Sequence, residues 1–187
     1  MKKIALLLMI LSVSLSYGQK KKQKSSKSAN AVAKSGDAKV VYNKKKDLFL
    51  VVSKDSMLLA KNNSDFNPIN IKITPVKIKA NTFYCVTWNE NVKTETKLKK
   101  DKIAITENQI WNPATKTLLI GNTQKAIDTE EIVFLDKLKT ASETQYKKRS
   151  EGYEFQLLPT GEFFLKMKNK STKYAYNEKS SRYEVKK

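Results

Sequence analysis

A chain of 187 residues with formal charge +19, no histidine, one cysteine and five glycines is long enough for one domain with a substantial core, yet lacks whole classes of chemistry. Without histidine there is no Ser-His-Asp or Cys-His nucleophile system, no HExxH zinc site and no imidazole acid-base work, and a lone cysteine allows neither an intramolecular disulfide nor a cysteine zinc site. The basic excess consists of 35 lysines and only two arginines, Arg149 and Arg182, which suits a solvated surface better than the forked recognition of phosphate, so no specific nucleic acid is expected as partner.

The N-terminus has a three-part layout. Lys2 and Lys3 precede an apolar run from Ile4 to Leu15, and Ser16-Tyr17-Gly18 follows it. Small residues two positions apart place a cleavage after Gly18, so residues 1–18 read as a secretory signal peptide. The apolar run spans about 18 Å, short of the roughly 30 Å hydrocarbon core, so no transmembrane span is expected in the mature chain. The five lysines at 20, 21, 22, 24 and 27 argue the other way, for an anchor retained by its downstream charge; the short apolar run decides against it. The segment resembles the export signals of Gram-negative envelope proteins, which implies an exported, periplasmic or secreted location. Residues 19–39, rich in Lys, Ser and Ala and without an aromatic residue, read as a disordered tether, because they cannot bury enough apolar area to offset their ordering entropy. Residues 40–187 read as a single β-rich domain.

Within that domain Leu48 to Val52 is a continuous apolar run, the pattern of a strand covered on both sides, with Met57 to Ala60 returning beside it. Ile69, Ile71 and Ile73 alternate with polar residues, and after Pro75 the parity flips to Val76 and Ile78. A bulge or corner at Thr74-Pro75 would restore both sets to one face. Tyr84, Val86 and Trp88 share one face of the next strand while Phe83 and Cys85 share the other, which predicts that one of the two faces is exposed or lines a cavity. Ile103 to Ile105, and the pair 109–111 and 118–120 around a turn at Asn112-Pro113-Ala114-Thr115, supply further hairpins.

One helix is predicted over about 128–149. Asp128 would cap it, Glu131 would complete a capping box, and Ile132, Leu135 and Leu138 with Phe134 and Ala141 would form its apolar stripe. It would pack on the sheet; the alternative is a helix lying on a membrane surface. Beyond it, Leu158-Pro159-Thr160-Gly161-Glu162 fits a three-residue hairpin loop with Gly161 in the left-handed position. That loop sets Leu157 opposite Phe163, Phe155 opposite Leu165, Tyr153 opposite Met167 and Glu154 opposite Lys166. A two-residue turn at Asn169-Lys170 would then place Tyr174 beside Leu165 and Tyr176 beside Phe163, with Tyr183 and Val185 extending the same face. The predicted fold is mainly β: an antiparallel sheet, sandwich or partly closed barrel, with one amphipathic helix before a C-terminal β-meander.

For function the sequence offers aromatics and acids. No glycine-rich phosphate loop and no calcium-binding spacing occurs, so no cofactor, metal or catalytic set is assigned. Tyr84, Trp88, Trp111, Tyr174, Tyr176 and Tyr183 are the candidate binding residues, because amphipathic rings stack on sugars or pack against peptides; the competing reading is a core whose phenols reach its rim. Glu90 and Glu107, each near a tryptophan, are the candidate acids of a carboxylate-dependent hydrolase, though nothing in the sequence brings them together. The preferred function is an exported, non-enzymatic domain that binds an envelope protein, glycan or small ligand. A glycan hydrolase and a basic protein holding anionic surface polymer are the alternatives.

Overall fold

The computed structural model of the chain describes residues 31–63 and 66–186. The expected signal peptide and residues 19–30 of the expected tether lie outside them. The described residues form thirteen strands and no helix. β1 (Ala31–Ser35), β2 (Ala38–Tyr42), β3 (Leu48–Val52) and β4 (Asp55–Ala60) make a four-stranded meander. β5 (Ile69–Ile78), β6 (Asn81–Glu95), β7 (Lys99–Asn112), β8 (Thr117–Phe134) and β9 (Ser142–Gly152) make a central five-stranded sheet. β10 (Glu154–Leu157), β11 (Phe163–Met167), β12 (Lys170–Asn177) and β13 (Arg182–Val185) make a second four-stranded meander. All pairings are antiparallel between neighbours in sequence, and no sheet closes into a barrel.

The three sheets stack. Val40, Leu48 and Leu50 of the N-terminal meander bury against Ile73, Tyr84, Val86, Trp88 and Trp111 of the central sheet. Phe163 and Tyr183 of the C-terminal meander bury against Val76, Phe83, Cys85 and Ile110 on its opposite face. The central sheet is therefore apolar on both faces where it is covered. That explains the parity flip at Pro75. β5 pairs with β6 without interruption from Lys72 to Ile78, so no bulge or corner forms there. Ile73 serves one core and Val76 the other, and Pro75 is tolerated because β5 lies at the sheet's edge. Likewise neither face of Phe83 to Trp88 is open, and the expectation of an exposed or cavity-lining face is corrected: all six residues except Thr87 are buried. In β3, by contrast, Leu48, Leu50 and Val52 are buried while Phe49 and Val51 are only half-buried, because this sheet is an outer layer covered on one side.

The helix expected over 128–149 does not form. Residues 117–134 and 142–152 are instead the strands β8 and β9, paired from Gln124 opposite Gly152 to Phe134 opposite Ser142. Asp128, the supposed cap, faces Lys148 across the strands, and Glu131, the supposed capping-box partner, holds Lys147 at 2.9 Å. The β-branched residues Ile127, Thr129, Ile132 and Val133 favour this outcome. The long partner β7 on the other side, pairing from Lys99 opposite Glu131 to Asn112 opposite Thr117, supplies a ladder that local helix signals cannot match. Residues 31–39, expected within the tether, form β1 and the start of β2; their few alanines are ordered by pairing with β2 and β3 rather than by their own hydrophobicity.

In the C-terminal meander the predicted loop holds. Gly161 adopts φ +83°, Leu158 N–H donates to the Glu162 carbonyl at 2.8 Å, and Leu157, Phe155 and Glu154 stand opposite Phe163, Leu165 and Lys166. The next register is displaced by two residues. The turn falls at Lys168-Asn169, so Tyr174 stands opposite Phe163. A shift of two keeps every side chain on its face, which is why the apolar pattern could not choose between the two registers.

Candidate functional site

The six candidate aromatics are structural to a large degree. Trp88 is 2% exposed, Tyr84, Trp111 and Tyr183 are also buried, and Tyr174 and Tyr176 are half-buried. The polar atoms of the four buried rings are each engaged. Tyr84 Oη donates to Asp37 Oδ1 at 2.6 Å and so ties the β1–β2 turn to the central sheet; burial first, and then this bond, pushes its phenol up to about 12. Trp111 Nε1 donates to Gln109 Oε1 at 2.9 Å, and Gln109 in turn donates to the Leu59 carbonyl at 3.2 Å. Tyr183 Oη donates to the Gly161 carbonyl at 3.0 Å. Tyr174 stacks on Phe163 with ring centroids 5.0 Å apart, and Tyr176 packs on Phe83 at 4.7 Å. Two of the six border open space: Tyr176 lines a groove of 430 Å³ shared with Ile78, Ala175 and Glu184, and Tyr84 lines one of 480 Å³ shared with Asp37, Pro75 and Lys77.

Cys85 is fully buried, and burial pushes its thiol up to about 12, so it is held as an inert hydrophobe.

The two acids are brought together. Glu107 stands directly opposite Trp88, and Glu90 lies two residues further along β6, on the same face of the sheet. The Trp88 indole N–H donates to Glu90 Oε1 at 2.8 Å. Burial holds the Glu107 carboxyl above its ordinary range; a hydrogen bond from Thr123 opposes the shift and the charge of Glu90 adds to it. Tyr42, carried by β2, joins the group: its phenol is raised by burial and by the charge of Glu90. These side chains lie where the N-terminal meander ends and the central sheet continues without cover. Chemically the arrangement is a carboxylic acid inclined to keep its proton beside a carboxylate fixed by an indole.

Beyond that margin the central sheet runs on as an arm, a feature with no counterpart in the sequence reading. β6 from Asn89, β7 up to Thr106, β8 from Gln124 and the whole of β9 extend past both meanders. One face is partly buried: Val92, Ile103 and Ile127 stand in one row, with Ile127 buried. The other face is exposed at every position from Asn91, Lys93, Lys102 and Ala104 to Ala126, Asp128, Lys148 and Ser150. Its rows read Lys93–Lys102–Asp128–Lys148 and Asn91–Ala104–Ala126–Ser150 across the four strands. The alanines and Ser150 leave a flat floor, and the lysines stand over it, bordering a groove of 430 Å³. Alternation at Lys102, Ile103, Ala104 and Ile105 was the available signal for this surface; the helix-like spacing of 128–138 concealed the partner strand.

Fold and surface together define a class: an all-β protein of three stacked antiparallel sheets whose central sheet outgrows its covers. No family model matches the chain, and neither the curated proteins nor the solved structures contain a match. Among the described residues no cluster of His, Cys, Asp or Glu could hold a metal ion, and no helix is long and apolar enough to cross a membrane.

Proposed function

We propose that this chain is an exported, non-enzymatic binding domain that engages a cell-envelope partner through the arm of its central sheet. The observation that carries the reading is the uncovered face of β6 to β9, flat, lysine-edged and exposed from the row Asn91–Ala104–Ala126–Ser150 to the row Lys93–Lys102–Asp128–Lys148. Ordering a strand residue costs about 1–2 kcal/mol in backbone entropy, and an arm with one bare face recovers less of that by burial than the covered part of the sheet does. A surface built at such cost, outside the cores, is where a partner is best sought. The aromatic rings contribute by making the two cores rigid rather than by contact. Export rests on the N-terminal layout alone.

The test is photo-crosslinking in intact cells from Ala104 and Ala126 on the bare face, with Lys54 and Lys168 in the two meanders as comparison positions. Adducts of defined mass from the arm positions only are the expected result. Adducts from the meanders only would refute the arm's role.

A second reading is supported by the proximity of Glu90 and Glu107 and by the raised Glu107 carboxyl, which suit a hydrolase acting on an envelope glycan. Glu90→Gln and Glu107→Gln would each abolish turnover on that account. Unchanged turnover of every glycan that the wild-type chain cleaves would eliminate it.

A further inference from the structure

The arm ends in two adjacent turns that expose apolar side chains, Leu138 the most exposed large hydrophobic residue among the described ones. The β6–β7 turn carries Leu98 and the β8–β9 turn carries Leu135 and Leu138; Leu98 is 43% exposed, Leu135 62% and Leu138 84%. The β6–β7 turn is tied to the end of β8: Ile132 N–H donates to the Leu98 carbonyl at 2.8 Å. Ile132 and, one strand over, Tyr146 continue the apolar patch along the bare face, both of them exposed. Around these residues the segments 96–99 and 135–141 hold four lysines, at 97, 99, 137 and 139, against one acid, Asp136. Asp136 is turned into its own loop, where it accepts hydrogen bonds from the Thr140 backbone N–H, at 2.8 Å, and from the Thr140 hydroxyl. Lys99 pairs with Asp101 at 3.0 Å. Lys97, Lys137 and Lys139 have no carboxylate partner among the described residues, and Lys139 lies over the Phe134 ring at 5.4 Å.

Exposed leucines ringed by unpaired lysines at the end of a projecting arm have a specific complement. Four strands at about 4.8 Å spacing make the tip only about 15 Å across, an end-on surface on the order of a few hundred Å². A stable protein interface takes roughly 800 Å² from each partner, more than the turns present. An anionic bilayer surface asks less: apolar side chains enter about 5–10 Å into the boundary between headgroups and acyl chains while lysines remain at the phosphates. Tyrosine, with an apolar ring and a polar end, suits the same depth. The arm carries the tip about 26 Å beyond the covered sheet, the eight residues of β7 from Lys99 to Thr106 at about 3.3 Å each, so the meanders do not obstruct approach.

We propose that the two turns dock on an anionic lipid surface, with Leu98, Leu135 and Leu138 entering the headgroup region and Lys97, Lys137 and Lys139 meeting lipid phosphates. This rests on the arm being the recognition surface and names what its end recognises.

The test uses the full chain carrying Leu138→Trp, with vesicles of phosphatidylglycerol and phosphatidylethanolamine or of phosphatidylcholine alone. The two native tryptophans are buried, so the added indole reports on the tip. The expected result is a blue-shifted emission, quenched by brominated lipid, with the anionic vesicles and not with the zwitterionic ones. In the wild-type background, Leu98→Ser with Leu138→Ser weakens association with anionic vesicles by roughly tenfold or more, from the apolar area lost. An unshifted indole on vesicles that nonetheless retain the protein would assign binding to the basic N-terminal lysines and overturn the proposal. A blue shift that appears with rising protein concentration and no lipid would overturn it in favour of a second copy covering the tip. In either case adducts from Ala104 and Ala126 would leave the arm's broader role standing.

Discussion

Single residues fix this fold where the backbone leaves no latitude. Gly152 ends β9 at φ +78°, and a Cβ there would run into the backbone carbonyl of Thr123; a backbone atom cannot step aside as a side-chain end can. Gly152→Ala is therefore expected to destabilise the chain by about 1–3 kcal/mol, measured by denaturant unfolding. Gly161→Ala meets the Ile78 and Val76 side chains at 2.7–2.9 Å and also strains its turn. Charge acts at the same scale. Glu162 is held by Lys173 at 2.7 Å and Lys186 at 2.6 Å, and these bonds lower its carboxyl to about 2. In the unfolded chain it takes up a proton near the ordinary glutamate value, about 4.3. Its stabilising contribution is thus complete above that value and is lost as pH falls from there through about 2. Glu162→Gln is expected to lower stability at neutral pH and to flatten this part of the acid-unfolding profile; an unchanged slope between pH 4.5 and 2 would show that the two lysines do not hold the acid in solution.

At the scale of elements, the sequence was legible where a turn and an alternation agreed. Leu158 to Glu162 set the β10–β11 register because a one-residue slip would have put Phe163 and Leu165 on the polar face. It was illegible where two registers or two periods fitted equally. The β11–β12 register differs from expectation by two residues because both choices keep Tyr174 and Tyr176 inward. The stretch 128–138 places apolar residues at helical spacing and a capping-box pair at its start, yet it lies between β7 and β9, partners distant in sequence that no local signal reveals. The candidate site was lost for the same reason: Glu90 and Glu107 meet only through the β6–β7 register, and the arm exists only once β8 is a strand. Because the arm is covered on one side at most, its stability falls outwards. Amides of β7 near Ile110, buried between the meanders, are expected to exchange hydrogen only on global unfolding, and those near Asp101 by local opening at least tenfold faster. Uniform protection along β7, followed by hydrogen-exchange NMR, would contradict this gradient.

At the scale of the whole molecule, the described residues form a central sheet clad on both faces over part of its length and covered by neither meander over the rest. The cladding takes Trp88, Trp111, Phe83, Phe163 and Tyr183 among the aromatic side chains and so removes them from the surface on which a ligand would find them, while Phe49, Phe134, Tyr146, Tyr153 and Phe164 belong to neither core. The proposed binding function rests on what the cladding leaves out. Hydrogen exchange of the full chain, free and bound to the envelope fraction, tests this most directly. Slowed exchange in segments 89–106 and 123–152, with the N- and C-terminal meanders unchanged, is the result the arm predicts. Protection confined to the meanders, around Tyr176 or Tyr84, with the arm exchanging as in the free chain, would contradict it and return recognition to the aromatic side chains.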